Sequence, residues 1–416
     1  MQLLGTTFLV VFGIFAGAWA NWAIYRWAWV PRAIGPWRAP LKGAPPRRWS
    51  DRLPILGWIG LRRESALHGR GYWIRPLLLE LLLPVFLVLM ARHYLSGQLI
   101  PDFVRDVPER LADLQSWLRL LFAFHALLAV LLIVVTFIDF DDQTIPDAIT
   151  VPGTLGSLAI SALTLNARLP ELRLADLGSQ AVGEIMPVLS SSPADWEGTR
   201  DGVSGLGAGL LIYLMWCFAL ANRRWIGRHG WRKGIDYFMA GLIRHSNWRL
   251  LLAIAALGCL AICVVWARQG DAWKGLFSSL VGLAVGGATV WAVRVMAAAT
   301  LQKEAMGFGD VTLMAMIGSA LGWQAAMLGF FLAPLTAIAI VVVQALASGE
   351  RAVAFGPYLC AGSALTVAAW DAIWNGYAAM LFGLGPILPL ILIVALCLMG
   401  ILLWMWRIIE SRIGGY

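Results

Sequence analysis

The sequence predicts an all-α fold: a polytopic integral membrane helical bundle of about eleven transmembrane helices, with a basic cytoplasmic loop subdomain. Three observations carry this expectation. Of 416 residues, 60% are hydrophobic and only 13% charged, against roughly 45–50% and about 25% in soluble domains. Apolar runs of the ~20 residues that a membrane helix requires recur along the whole chain. Lys and Arg gather in two connecting segments, the pattern of loops kept on the cytoplasmic side.

The spans fall, in order, near 4–24, 76–95, 117–137, 147–165, 204–221, 250–267, 276–298, 309–322, 325–347, 354–370 and 385–406. The first ends in "AWA", as a cleavable signal would. However, no Lys or Arg precedes it, while Arg26 and Arg32 follow, the reverse of a secretory signal. A retained helix with its N-terminus outside is expected. Segment 26–75 then carries eleven Lys/Arg against Asp51 and Glu64, and segment 222–249 seven against Asp236. Segment 166–203 has three basic and six acidic residues, and 96–116 is slightly acidic. Threading the spans from outside puts both basic segments in the cytoplasm and both acidic ones outside. The stretch containing "SSSPADWEG" is expected to be a mobile extracytoplasmic loop, and 26–75 a small subdomain against the membrane. The loop arginines suit anionic lipid.

The formal charge of +8 is therefore topological, and nucleic-acid binding is not expected. Five cysteines (Cys217, Cys259, Cys263, Cys360, Cys397) lie in apolar stretches with no CxxC pair, so no zinc or redox motif is present. "SLVGLAVGG" offers small-xxx-small packing to a neighbouring helix or a second copy, and the oligomeric state stays open.

Most carboxylates sit in loops. Two groups do not. "FIDFDDQTIPD" places Asp139, Asp141, Asp142 and Asp147 just after the third span, and "MGFGD" places Asp310 at the start of the eighth. The threading brings both groups to the cytoplasmic membrane face. Two carboxylates at one site can share a proton, one staying ionised to take a proton from water while the other polarises a carbonyl. Gly307 and Gly309 would let the backbone turn there and approach a substrate. Helix capping explains the same residues without chemistry: Asp310 and Asp147 each precede an apolar helix, where the positive end of the dipole favours an acid. Proton or ion transport is a third reading. The residues alone leave all three open.

At these positions the chain resembles the bacterial type IV prepilin peptidases, GxGD-type membrane aspartyl proteases. "KEAMGFGDVTLMAMIGSALGWQ" (303–324), "IDFDDQTIPDAITVP" (138–152), "FGPYL" (355–359), "GAWANWAIYR" with Asn21 and Arg26, and "LPILGWIGLR" with "RPLLLEL" (Arg75, Glu80) carry the resemblance. They fall across 17–92, 117–165 and 276–371. The resemblance implies catalysis by Asp139, which opens the D-x5-[LI]-P pattern through Ile145 and Pro146, and by Asp310, which ends GxGD. Gly307, Gly309, Asp141, Pro146, Asp147, Thr312 and Pro357 would bind substrate or shape the site. It further implies prepilin or type II secretion pseudopilin substrates, cut after a glycine just before their hydrophobic helix. The place implied is a bacterial inner membrane, with the site facing the cytoplasm. The implied division is a first helix (1–25), a loop subdomain (26–75) and a peptidase core (76–165 and 276–371). An insertion (166–275) and an extra C-terminal helix (372–416) complete it. A catalytically inactive scaffold of a pilus or secretion assembly and a proton-coupled carrier are the alternatives.

The chain departs from that family in three ways. Many members carry two CxxC pairs in the first loop, reading as a zinc site. Here "GAPPRRWSDR" and "LRRESALHGR" stand in those places, so no zinc is expected. Cleavage requires no cofactor, and S-adenosylmethionine enters only if the family's N-methylation is retained. The lysine common two residues after the GxGD aspartate is Thr312, with Lys303 a candidate substitute cation. Residues 166–270 exceed the usual connection, and the tail adds a span.

Overall fold

The computed structural model describes residues 3–32, 34–177, 180–193, 201–221, 248–302, 306–347, 354–385 and 387–413. Its elements are α1 (Leu3–Trp27), α2 (Ile74–Leu95), α3 (Pro108–Asp142) and α4 (Asp147–Leu163), followed by strands β1 (Pro170–Leu177) and β2 (Gln180–Pro187). Then come α5 (Val203–Leu220), α6 (Trp248–Arg268), α7 (Gly270–Leu301), α8 (Phe308–Leu321), α9 (Trp323–Ala347), α10 (Gly356–Ala368) and α11 (Ile387–Ile413). Each expected span coincides with one of these helices. Eight are long and apolar enough to cross a membrane; α4 and α8 are apolar but shorter. The all-α membrane architecture is borne out. Large apolar side chains face outward, as a lipid solvent permits: Leu257 is 67% exposed on α6 and Ile393 59% on α11.

The core is built by close helix contacts. A Cβ placed on Gly282 of α7 would lie 2.0 Å from the Gly318 carbonyl oxygen of α8, and one on Gly286 2.4 Å from that of Met314. The small-residue stripe of α7 is thus spent on α8 of the same chain. Gly362 of α10 similarly admits the Gly329 carbonyl of α9, 2.4 Å from where its Cβ would stand. These contacts fix α8 and α10, the helices whose first turns reach the site.

One expectation is corrected. Residues 170–187, read as part of a mobile loop, form an antiparallel hairpin that opposes Arg173 to Glu184. "ELRL" (171–174) alternates polar and apolar residues with the period of a strand. The hairpin is tied to the bundle end away from Asp310: the Trp370 indole donates to the Pro170 carbonyl at 2.6 Å, and the Leu172 N–H to Asn375 Oδ1 at 3.1 Å. Ser192 Oγ and Arg173 Nε donate to the buried Glu171 carboxylate, each at 2.6 Å. The basic segment 222–247 and Lys303 lie outside the described residues.

Segment 26–75 forms a small subdomain around Tyr25, Trp58 and Leu61. The buried Glu80 carboxylate of α2 organises it, accepting from Asn21 Nδ2 of α1 (3.1 Å), Trp58 Nε1 (2.8 Å) and the Ile55 N–H.

Candidate active site

The third helix ends abruptly, and that end presents the first carboxylate. Gln143 takes left-handed backbone (φ 52°), and its N–H closes onto the Asp139 carbonyl at 2.9 Å. Ile145 precedes Pro146, which disfavours helical backbone before it, and α4 restarts at Asp147. Asp139 is buried. Its Oδ2 accepts the Gly356 N–H at 3.1 Å. That amide belongs to the first turn of α10, where no helical acceptor exists for it. A carboxylate at a helix start also meets the positive end of the dipole.

Asp310 is the third residue of α8 and is buried too. In the first turn of α8 its carboxyl also meets the positive end of the helix dipole. Gly309 is demanded by packing: a Cβ there would stand 2.8 Å from Cβ of Ile145. The GxGD turn therefore lies directly on the connection that follows Asp139. Gly307 is under no such pressure, with the nearest atom 3.7 Å away. The GxGD turn and the connection after Asp139 thus meet at Ile145, whose side chain also lies against the start of α10 at Gly356. Neither aspartate is ion-paired among the described residues.

The neighbouring acids have other partners. Asp141 takes both Arg75 amines (2.7 and 2.8 Å) and Arg32 Nη1 (2.8 Å); Asp142 takes Arg32 Nη2 (2.9 Å) and the Trp29 N–H (2.9 Å). They pin the loop subdomain to α3. Asp147 is exposed at the first position of α4, and Pro146 occupies its N-cap. Thr312 is buried, with Oγ1 donating to the Gly309 carbonyl at 2.9 Å, so it steadies the turn. Pro357 sits in the first turn of α10 beside the Gly356 amide.

Two contributors were not singled out from sequence. Gly356 is one: its Cβ would lie 2.6 Å from Asp139 Oδ2, and the signal was the FGP triplet itself. The other is Arg294 of α7, whose Nε donates to the Met306 carbonyl (3.0 Å) and whose guanidinium lies over the Phe308 ring. It holds the entry to the GxGD turn.

The two loop segments standing where many prepilin peptidases carry cysteines do meet. Arg63 grips Asp51 through both Nη atoms, and Arg47 Nη2 reaches Glu64 Oε2 at 3.1 Å. His68 Nε2 lies 3.5 Å from the same Glu64 oxygen. With no thiol present and both carboxylates engaged by arginine, these donors do not fit a zinc ion.

The class that emerges is a polytopic α-helical membrane protein with two buried aspartates, neither ion-paired among the described residues, at one end of its bundle. Comparison with known proteins is specific beyond that. The type IV leader peptidase family matches residues 208–342, a stretch that includes Asp310. A prepilin leader peptidase/N-methyltransferase of Myxococcus xanthus is 22% identical over 263 residues, covering 63% of this chain and 62% of the relative. One of Pseudomonas aeruginosa is 34% identical over 172 residues, covering 38% of this chain and 57% of the relative. The chain thus spans about three-fifths of the length of these curated relatives. No solved structure matches. The resemblance read from the motifs is borne out.

Proposed function

We propose that this protein is a membrane aspartyl endopeptidase that removes the leader from type IV prepilins or type II secretion pseudopilins at the cytoplasmic face of the inner membrane. The observation supporting the reading is that the GxGD turn carrying Asp310 packs on Ile145 just after Asp139, two buried carboxyls with no ion pair among the described residues, in a chain similar to named prepilin leader peptidases. Two carboxyls acting at one site favour a single shared proton. The ionised aspartate draws a proton from water while the protonated one hydrogen-bonds the scissile carbonyl. The water oxygen attacks the carbonyl carbon, and the amide nitrogen leaves with a proton returned from the pair. The Gly356 amide keeps the Asp139 carboxylate oriented, and the turn at Gly307 and Gly309 leaves room for an extended substrate strand.

The test is co-expression with a prepilin. Asp139→Asn and Asp310→Asn each abolish leader removal while the protein still inserts; normal processing by both single variants would sink the reading. Mass measurement of the processed N-terminus separates cleavage alone from cleavage followed by methylation.

A further inference from the structure

Two cavities away from the aspartates share a wall. The first is a recess of about 20 Å³ between the loop subdomain and α1, lined by Trp22, Tyr25, Trp37, Arg38 and Arg52. It admits about one water-sized group. The second is a groove of about 350 Å³ between α1 and α2, lined by Val10, Ile14, Leu81, Pro84 and Val85 and ending at Arg92. Glu80 borders both, and the loop passes from the recess at Leu53 and Pro54 to the groove at Ile55. On α1 the lining is one helical stripe, four residues apart: Val10 and Ile14 in the groove, Ala18 and Trp22 in the recess.

The recess carries unmatched positive charge. Asp51 and Glu64, the acids of segment 26–75, are taken by Arg63 and Arg47. Neither Arg38 nor Arg52 has a side-chain hydrogen bond or ion pair among the described residues. Glu80 brings one negative charge against these two, and its carboxylate already accepts from Asn21, Trp58 and Ile55. The backbone is strained where the cavities meet. Ile55 stands at φ 64° and ψ −61°, with the Leu56 N–H donating to the Pro54 carbonyl at 2.7 Å. That is the rarer kind of γ-turn, at a β-branched residue that avoids positive φ. Strain of this kind gathers at ligand clamps.

We infer that the two cavities together seat one anionic phospholipid, with a phosphate oxygen in the recess at Arg38 and Arg52 and one acyl chain in the groove between α1 and α2. Size decides for a lipid chain over a protein helix. From Glu80 to Arg92 the groove runs about 18 Å at 1.5 Å per residue, so its section averages about 20 Å², against about 80–110 Å² for a helix 10–12 Å across. The length is slightly more than half of the ~30 Å hydrocarbon core, the reach of one chain from one leaflet. Charge decides for an anionic headgroup, because two guanidiniums beside a membrane helix attract a lipid phosphate. A free phosphate answers to the recess but has nothing to lay along the groove.

The experiment uses the full chain purified in detergent, with phosphatidylglycerol, phosphatidylcholine or inorganic phosphate added singly and bound molecules counted by native mass spectrometry. One phosphatidylglycerol is expected per chain, held at least tenfold more tightly than phosphatidylcholine, with no phosphate retained. Arg38→Gln and Arg52→Gln together are expected to weaken phosphatidylglycerol at least tenfold. Arg62→Gln and Arg70→Gln together remove the same charge from exposed positions outside both cavities and should leave binding unchanged. Val85→Trp fills the groove from an exposed position; it should weaken the lipid as much as the first arginine pair, with helix content by circular dichroism unchanged. Equal retention of the two lipids, equal loss in the two arginine pairs, or wild-type binding by Val85→Trp overturns the site. Inorganic phosphate held as tightly as phosphatidylglycerol, and lost with Arg38 and Arg52, overturns the lipid in favour of a free anion.

Discussion

The loop subdomain and the aspartate site treat carboxylates in opposite ways. In the loop, Asp51 and Glu64 are almost fully buried, yet each is met by an arginine, as Asp141 and Asp142 are at the end of α3. Two residues before Asp141, Asp139 is equally buried and is met by one neutral amide, with the turn carrying Asp310 packed on Ile145 just after it. A carboxylate matched to a guanidinium is fixed in charge and fixed in place; it cross-links the fold. One matched to a neutral donor alone stays free to exchange its proton. Arginine placement thus separates acids that cross-link the fold from the proposed reactive ones, which have no ion pair among the described residues.

The contrast breaks most visibly at the reactive pair. Asp310→Asn should lower prepilin cleavage by about 10²–10⁴-fold, read as the ratio of processed to unprocessed substrate. Next comes the neutral donor. Gly356→Val forces side-chain atoms into the space of Asp139 Oδ2; activity should fall at least tenfold with the protein still inserted, measured in the same assay. On the scaffold side, Arg63→Ala strands the buried Asp51 and should cost the loop about 3 kcal/mol. Limited proteolysis within 26–75 should rise, while Asp51→Asn, Arg63→Ala together should be milder than Arg63→Ala alone. An Arg63→Ala chain with an intact loop would refute the distinction.

Acid sharpens the same comparison more gently. Burial by itself would raise the Asp51 carboxyl; the hydrogen bonds from Arg63 and the Arg48 N–H outweigh it and hold it below the usual carboxylate range. A group depressed in the folded state stabilises above its unfolded value, near 3.9, and that contribution is lost as pH falls through the folded value. Loop protection against proteolysis should be constant at neutral pH and decline only below about pH 4. The smallest effect expected is at Thr312→Val, which deletes one hydrogen bond to Gly309, worth about 1 kcal/mol. Cleavage should drop only a few-fold, consistent with a positioning role for this side chain and not a charge role.

The helices were legible because lipid imposes length and apolarity on each span. The pairing of Asp139 with Asp310 was legible only through motif resemblance, since burial and capping chemistry treat Asp139, Asp141, Asp142 and Asp147 alike. What separates them is partners: Arg32 arrives from the loop after α1, Arg75 from α2, and Gly356 from the far end of the chain. No local spacing encodes such contacts. The hairpin at 170–187 was missed for a different reason. Its alternation is short, and its docking to Trp370 and Asn375 is again long-range.

The amide that steadies Asp139 is 217 residues downstream of it. A ribosome adding roughly 5–20 residues per second needs about 10–45 s to synthesise that interval. Throughout it, the nascent chain holds a membrane-inserted Asp139 without its donor, without Asp310 for most of the time, and without the tenth helix beside it. On the peptidase reading proposed above, a chain that has not reached Gly356 lacks the donor that orients Asp139 and would not yet be competent.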